Sequence, residues 1–375
     1  MIRIHSLRLL IAGTIVLVFA GCFGEPEDRR SSLQIIARWQ DQRLAPQDSL
    51  AAMMTAEDAH VRLAAIRAAG LIGRDDVLPQ LLEALDDPSE TVRSEALWSM
   101  GLLNSAEALP ALTRALADPR PKIRLAAIDG LAHTEGAGAA LIGAAAAPDP
   151  DEAARVWDSL RNHATEADPS RLRAAIQAGL TRPEADVRWR VLRCSELAAD
   201  SSLTGLITPF AEADEAQVRV HAYRALGRIP SAASLQAVLA GCESHDRFRG
   251  RNNTRVRIAA CGALGRLGTL ALSEPGAAAP ADVSARLITD AGSSDPHLAE
   301  AALAAMARFV ADAPLPPEAA THESLLPVWW IRLARAAGSH IDKPHVGLRA
   351  AAAAAYAGTR GAGAAETLVV VLDAE

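Results

Sequence analysis

The chain is short of aromatics, nearly empty of lysine, sparing with cysteine and without a strand-like pattern, and each shortage removes something. Phe, Trp and Tyr make up 3% of 375 residues, so the apolar half of the composition is carried by small and aliphatic side chains. Alanine dominates, and small side chains let helices approach closely. Strand-forming residues occur singly and never alternate over a run, which excludes a sheet. Lys122 and Lys343 are the only lysines; every other cation is arginine, which reads as a genome-wide preference and not as selection for phosphate binding. The formal charge of −7 argues against the concentrated basic stripe that a duplex-binding protein needs. The four cysteines, Cys22, Cys194, Cys242 and Cys261, form no Cys-x-x-Cys pair and no haem-attachment sequence. No glycine-rich phosphate loop follows a strand, and no Ser-His-Asp set stands in local context. Composition and spacing thus predict no metal and no cofactor.

What is present begins with an apolar leader. Arg3 and Arg8 precede an uncharged run from Leu9 to Ala20, the charged and apolar regions of a secretory signal. The run is too short for a membrane-spanning helix, which takes about 20 residues. It ends Val18-Phe19-Ala20-Gly21-Cys22, which resembles a bacterial lipoprotein lipobox with Phe19 in the usual leucine place. That resemblance implies cleavage before Cys22 and acylation of Cys22. Several acyl chains anchor stably where one is marginal. The resemblance also implies a chain facing the periplasm, and Phe23, where an Asp would mark inner-membrane retention, favours the outer membrane. Residues 22–32 are polar and read as a tether.

The rest is organised by one recurring stretch. Asp58–Gly70 returns as Ser89–Gly101 and Pro121–Ala132, each marked by a β-branched residue before Arg: Val61-Arg62, Val92-Arg93, Ile123-Arg124. The series continues at Arg155, Arg188, Arg219 and Arg257, in steps of 31, 31, 31, 33, 31 and 38 residues, and resumes at Arg349. Such a period is the signature of a solenoid. Counting the β-branched residue as position 0, positions 0, +4, +5 and +8 form one apolar face at helical spacing. Asp87-Pro88, Asp118-Pro119 and Asp149-Pro150 read as helix starts, and Gly70, Gly73, Gly101, Gly227 and Gly265 as helix ends. A second helix follows each first one, for example Val77–Leu85. The expected organisation is a capping pair over 33–55, a regular array over 56–268 and looser copies over 269–375. This is an all-α, α/α superhelix of about nine hairpins plus a cap. An atypical terminal pair is what such a stack requires at its open face.

The stretch from Asp87 to Ala132 resembles HEAT repeats, in particular the short variety of phycobilin lyases; tetratricopeptide and ankyrin signatures are missing. The resemblance implies a scaffold that binds a protein or peptide along a groove. It also offers two enzymatic expectations, a phycobilin-lyase-like or oxidoreductase role on a tetrapyrrole and an alkylbase-DNA glycosylase. Fold alone carries neither, and acidity and export oppose the second. The single pair His322-Glu323 falls far short of the several His-Glu pairs with which the HEAT-type deoxyhypusine hydroxylases bind iron.

Several residues stand out within this frame. The repeated arginines (Arg62, Arg93, Arg124, Arg155, Arg188, Arg219, Arg257 and Arg349) read as a structural ladder, because a ligand-specific residue would occur once, whereas a guanidinium fork suits carboxylates or carbonyls between repeats. Trp98 occupies position +6, where other copies hold Arg67, Asp129, Arg193 and Arg224. An exposed aromatic there is a candidate anchor for a partner. Trp189, at +2, aligns with Leu63, Leu125 and Val220 and reads as core, and Trp329-Trp330 read likewise. The insert around His245, Arg247, Phe248, Arg249 and Arg251 is a basic loop suited to an anionic ligand. Cys194 and Cys261 read as buried small hydrophobes; two layers of about 10 Å separate them, beyond disulfide reach. A Cys242–Cys261 bridge stays open in an oxidising compartment. The reading is a non-enzymatic, monomeric scaffold, lipid-anchored through Cys22, with a protein partner and no nucleic acid.

Overall fold

The computed structural model describes residues 27–243, 251–273, 278–311, 328–341 and 350–356. Among the described residues there are nineteen α-helices, short 3-10 turns and no strand. The chain forms two compact units, residues 1–137 and 138–375. The division falls inside the stretch expected to be one regular array.

The first unit holds α1 (Glu27–Gln42), α2 (Gln47–Met54), α3 (Ala59–Ile72), α4 (Leu78–Glu83), α5 (Glu90–Leu103), α6 (Leu109–Ala115) and α7 (Pro121–Leu131). The odd-numbered helices stack in chain order, and each even-numbered helix packs on the odd one that follows it. The expected tether is shorter than read: helix begins at Glu27, and Arg29 within it pairs with Asp58 at the start of α3.

The second unit holds α8 (Gly138–Ala144), α9 (Pro150–Leu160), α10 (Pro169–Leu180), α11 (Ala185–Ala198), α12 (Thr204–Ile207), α13 (Ala216–Leu226), α14 (Ala232–Glu243), α15 (Arg251–Leu267), α16 (Leu270–Ser273), α17 (Pro280–Ala291), α18 (Pro296–Ala311) and α19 (Val328–Gly338); residues 350–356 are also helical. Here α9, α11, α13, α15 and α18 stack in order, with α10, α14 and α17 packed against the next first helix. The span Asn253–Ser273 is apolar and long enough to cross a membrane by composition. Its Val256, Ala260, Cys261 and Leu264 are fully buried in the unit, so it serves as a core helix.

The apolar stripe explains the stacking. At positions 0, +4 and +5, Val61-Ala65-Ile66, Val92-Ala96-Leu97, Ile123-Ala127-Ile128, Val187-Val191-Leu192, Val218-Ala222-Tyr223 and Val256-Ala260-Cys261 are all 4% exposed or less. A side chain such as Ile66 contributes about 2–3 kcal/mol by leaving water, and only a neighbouring hairpin can cover it.

Most of the glycines read as helix ends do other work. Gly73 does end α3 in the left-handed region at φ 77°, and Gly227 closes α13. Gly70, Gly101 and Gly265 lie inside α3, α5 and α15, at position +9, where the next first helix crosses. A Cβ on Gly101 would stand 2.4 Å from Gly130 Cα, and one on Gly70 2.7 Å from Ser99 Cβ. These positions are set by close approach and not by capping. The Asp-Pro pairs divide similarly. Asp149 caps α9 by accepting from the Glu152 N–H, with Pro150 in the first turn. Asp87 and Asp118 lie two residues before their caps, Ser89 and Arg120, and accept from those residues' N–H groups, an Asx turn.

Candidate functional site

The repeated arginine forms the same clasp in five hairpins. It stands four residues past the N-cap, and its Nη1 donates to the two backbone carbonyls just before that cap. Arg62 takes Ala56 and Glu57, Arg93 takes Asp87 and Pro88, and Arg124 takes Asp118 and Pro119. In the second unit Arg188 takes Arg182 and Pro183, and Arg219 takes Ala213 and Asp214. All ten bonds measure 2.5–3.1 Å. The turn between repeats leaves these carbonyls without helical partners, and a planar guanidinium reaches two of them at once.

The outer half of the fork varies. Arg62 also grips Asp87 with two bonds, 2.7 and 3.0 Å, both side chains being largely buried. Burial works against the Asp87 carboxylate, yet Arg62 and the Ser89 N–H hold its pKa below the usual carboxylate range. One hairpin on, Arg120 takes Asp118 instead, with bonds of 2.8 and 2.7 Å, and holds its pKa down at about 2. Arg188 pairs with Glu215 at 3.0 Å. Arg155 leaves the series: Asp149 caps its helix, so the clasp position is Ala153, and Arg155 is exposed two residues later.

Arg257 belongs to a buried cluster that sequence reading missed. Asp290, on α17, is fully buried. It accepts from Arg257 Nε at 3.0 Å, from Arg286 Nε and Nη2 at 3.2 and 3.1 Å, and from the Cys261 thiol at 3.2 Å. Arg286 also donates to the Cys242 carbonyl at 3.2 Å. Two guanidiniums compensate one desolvated carboxylate. Cys194, Cys242 and Cys261 are buried free thiols, so the bridge left open between Cys242 and Cys261 is not formed. Burial pushes the Cys194 and Cys242 thiols up to about 12 and raises Cys261 further beyond its ordinary value, with Asp290 adding to the effect. Thiols this reluctant to ionise are poor nucleophiles.

Trp98 is half-buried on α5. Trp189 is a correction: it is not core but half-buried on α11. Its indole stacks on His221 of the next first helix with centroids 5.2 Å apart, the Arg190 guanidinium lies 4.2 Å from its ring centre, and its Nε1 donates to Asp186 at 3.0 Å. At +2 Val220 is buried but Leu63 and Leu125 are half-buried, so the position can border solvent, and the indole settles across the neighbouring surface. His221 is itself buried, with Nδ1 2.7 Å from Glu196 Oε1. The signal for this platform was the Trp-Arg pair followed about one repeat later by His.

Cys22, His245, Arg247, Phe248, Arg249, Arg349 and the pair His322-Glu323 lie outside the described residues, as do the side chains of Arg251, Trp329 and Trp330.

Stacked helical hairpins joined by a repeated turn clasp define a helical-repeat protein. Residues 24–99 and 78–181 match the HEAT repeats family, and this stretch of the chain is built of HEAT repeats. Among solved structures, an engineered protein matches at 15% identity with a TM-score of 0.52, over 90% of this chain and 97% of its own. A Kap121p mutant matches at 15% identity and 0.58 over 94% of this chain. Kap95p, described as binding RanGDP, matches at 14% and 0.52 over 93%. The chain spans 42% and 55% of those two chains' lengths. At such identities the likeness is one of fold alone. No curated protein sequence matches the chain.

Proposed function

We propose that this protein is a non-catalytic interaction scaffold, held at the bacterial cell envelope by lipid on Cys22, facing the periplasm from the outer membrane, and working as a monomer on a protein partner. The observation that carries the reading is how the chain uses its polar groups. Five arginines clasp inter-repeat turns, Asp290 is neutralised by two more, and the buried thiols are held far from ionisation. These groups serve the stack, and repeated hairpins provide long surfaces for partners. The half-buried Trp98, at a position charged in other copies, is the first contact expected. Anchoring is supported by the sequence Val18–Cys22 after an apolar run.

Mass spectrometry of the mature amino terminus tests the anchor: a diacylated Cys22 is expected, and an intact leader or an unmodified cysteine removes it. Crosslinking in intact envelopes from a photoreactive residue at position 98 tests the scaffold. A saturable protein adduct that Trp98→Ala weakens is expected; no adduct from any surface position rejects the reading.

A further inference from the structure

In the first unit, the arginine at position +6 of one first helix is answered by a carboxylate at position +3 of the next. Arg67 on α3 donates from Nε and Nη2 to Glu95 on α5 at 2.7 and 2.8 Å. The same register in the second unit sets Arg224 of α13 against α15, where position +3 is Ala259. No Asp or Glu occurs anywhere in α15. Arg224 and Arg228 are exposed at the end of α13, and Arg308 is exposed on α18; these three side chains make no hydrogen bond or ion pair among the described residues. Arg266, also exposed, reaches back from α15 so that its Nε donates to the Gly227 carbonyl at 2.9 Å, beside Arg228. The crossing of Gly265 against Ala305, where an added Cβ would meet Ala305 Cα at 2.8 Å, brings α18 and Arg308 alongside. Partial desolvation of its guanidinium against α13, and then the like charges of Arg228, Arg308 and Arg224, lower the pKa of Arg266. Glu196 opposes them, but His221 engages it.

Four guanidiniums thus share one face of a protein whose net charge is −7. We propose that Arg224, Arg228, Arg266 and Arg308 form a docking surface for an acidic segment of a protein partner, whose carboxylates take the role that Glu95 plays inside the first unit. The proposal rests on the scaffold reading and names the chemistry of its partner. Guanidinium forks match carboxylates in pairs of parallel bonds. The face favours a peptide over a bilayer because it offers nothing to insert: the exposed large apolar side chains among the described residues are Ile35, Leu44, Leu71, Leu82 and Val328, none on α13, α15 or α18. The acidic remainder of the chain would also oppose an anionic membrane.

The test is fluorescence anisotropy with the full chain and a labelled peptide of alternating Glu and Ala, alongside vesicles of anionic phospholipid and inorganic phosphate. Saturable peptide binding that weakens with salt is expected, with about ten-fold loss in Arg224→Gln/Arg228→Gln and no loss in Arg67→Gln, whose arginine is already paired. Ala259→Glu supplies an internal carboxylate to Arg224 and is expected to weaken the peptide too, while circular dichroism shows every variant folded. Equal binding by wild type and the double variant overturns the proposal, as does binding of vesicles or phosphate without the peptide. Crosslinking in envelopes separates the two claims. A partner captured from position 98 but never from position 224 keeps the scaffold and removes this surface; failure from these and every other surface position removes the scaffold.

Discussion

The two units place an arginine at the same repeat position, Arg67 on α3 and Arg224 on α13, but set it against different neighbours. In the first unit Arg67 is closed on Glu95, as Arg62 is on Asp87, Arg74 on Asp76 and Arg120 on Asp118. In the second unit Arg173, Arg182, Arg188, Arg190 and Arg193 are also paired with carboxylates and Asp290 gathers Arg257 and Arg286, while Arg224, Arg228 and Arg308 stay open. The difference follows from what faces each arginine. A carboxylate on the next helix turns a guanidinium into a structural tie, and an alanine there leaves it to solvent or to a partner. A repeat can therefore keep its stacking and change its surface through a single position.

The largest effect that would break this comparison is Asp290→Ala. It strands two guanidiniums in a buried setting, a loss of about 3–5 kcal/mol. Hydrogen exchange should quicken across α15 and α17 while α3, α5 and α7 keep their protection, because stability in repeat proteins is mostly local. Equal loosening in the first unit would contradict the division. Next comes Gly101→Ala, which drives a Cβ into the Gly130 backbone and should cost about 1–3 kcal/mol in urea unfolding; a neutral result would return Gly101 to the helix-end role first read for it.

A smaller effect depends on pH. The hydrogen bonds of Arg120 hold Asp118 at a pKa of about 2, below an unfolded value of about 3.9. Its contribution is thus complete above about pH 4 and is lost as pH falls through 2. Asp118→Asn should flatten that part of the acid-unfolding curve and leave the region above pH 5 parallel to wild type. The smallest expected change is Arg67→Gln. The Arg67 side chain is 52% exposed, and such a pair contributes under about 1 kcal/mol; a larger loss in urea unfolding would mean that first-unit pairs carry more of the fold than their exposure suggests.

The stripe at 0, +4 and +5 was readable because burial imposes a helical period on side chains themselves. The arginine series was readable as a recurrence, but its acceptors were not, since backbone carbonyls carry no mark in the sequence. Arg155 shows the limit. It keeps the 31-residue step, yet its helix is capped so that Ala153 takes the clasp position. Gly70 and Gly101 looked like helix ends because glycine near an end suits capping and crossing alike. Trp189 looked like core by alignment, and only its neighbours Arg190 and His221 explain why it lies on the surface. The Asp290 cluster was hidden because its members come from α14, α15 and α17, spread over residues 242–290.

The most direct test of the central claim, that Arg62 and Arg67 are tied within the fold while Arg224 awaits an external carboxylate, is arginine side-chain NMR. The Nε–Hε protons of Arg62 and Arg67 should exchange slowly with water in the free protein, while that of Arg224 exchanges rapidly and slows when the acidic peptide is added. A slowly exchanging Arg224 in the free protein, unchanged by peptide, would show that the chain already satisfies it and would contradict the account.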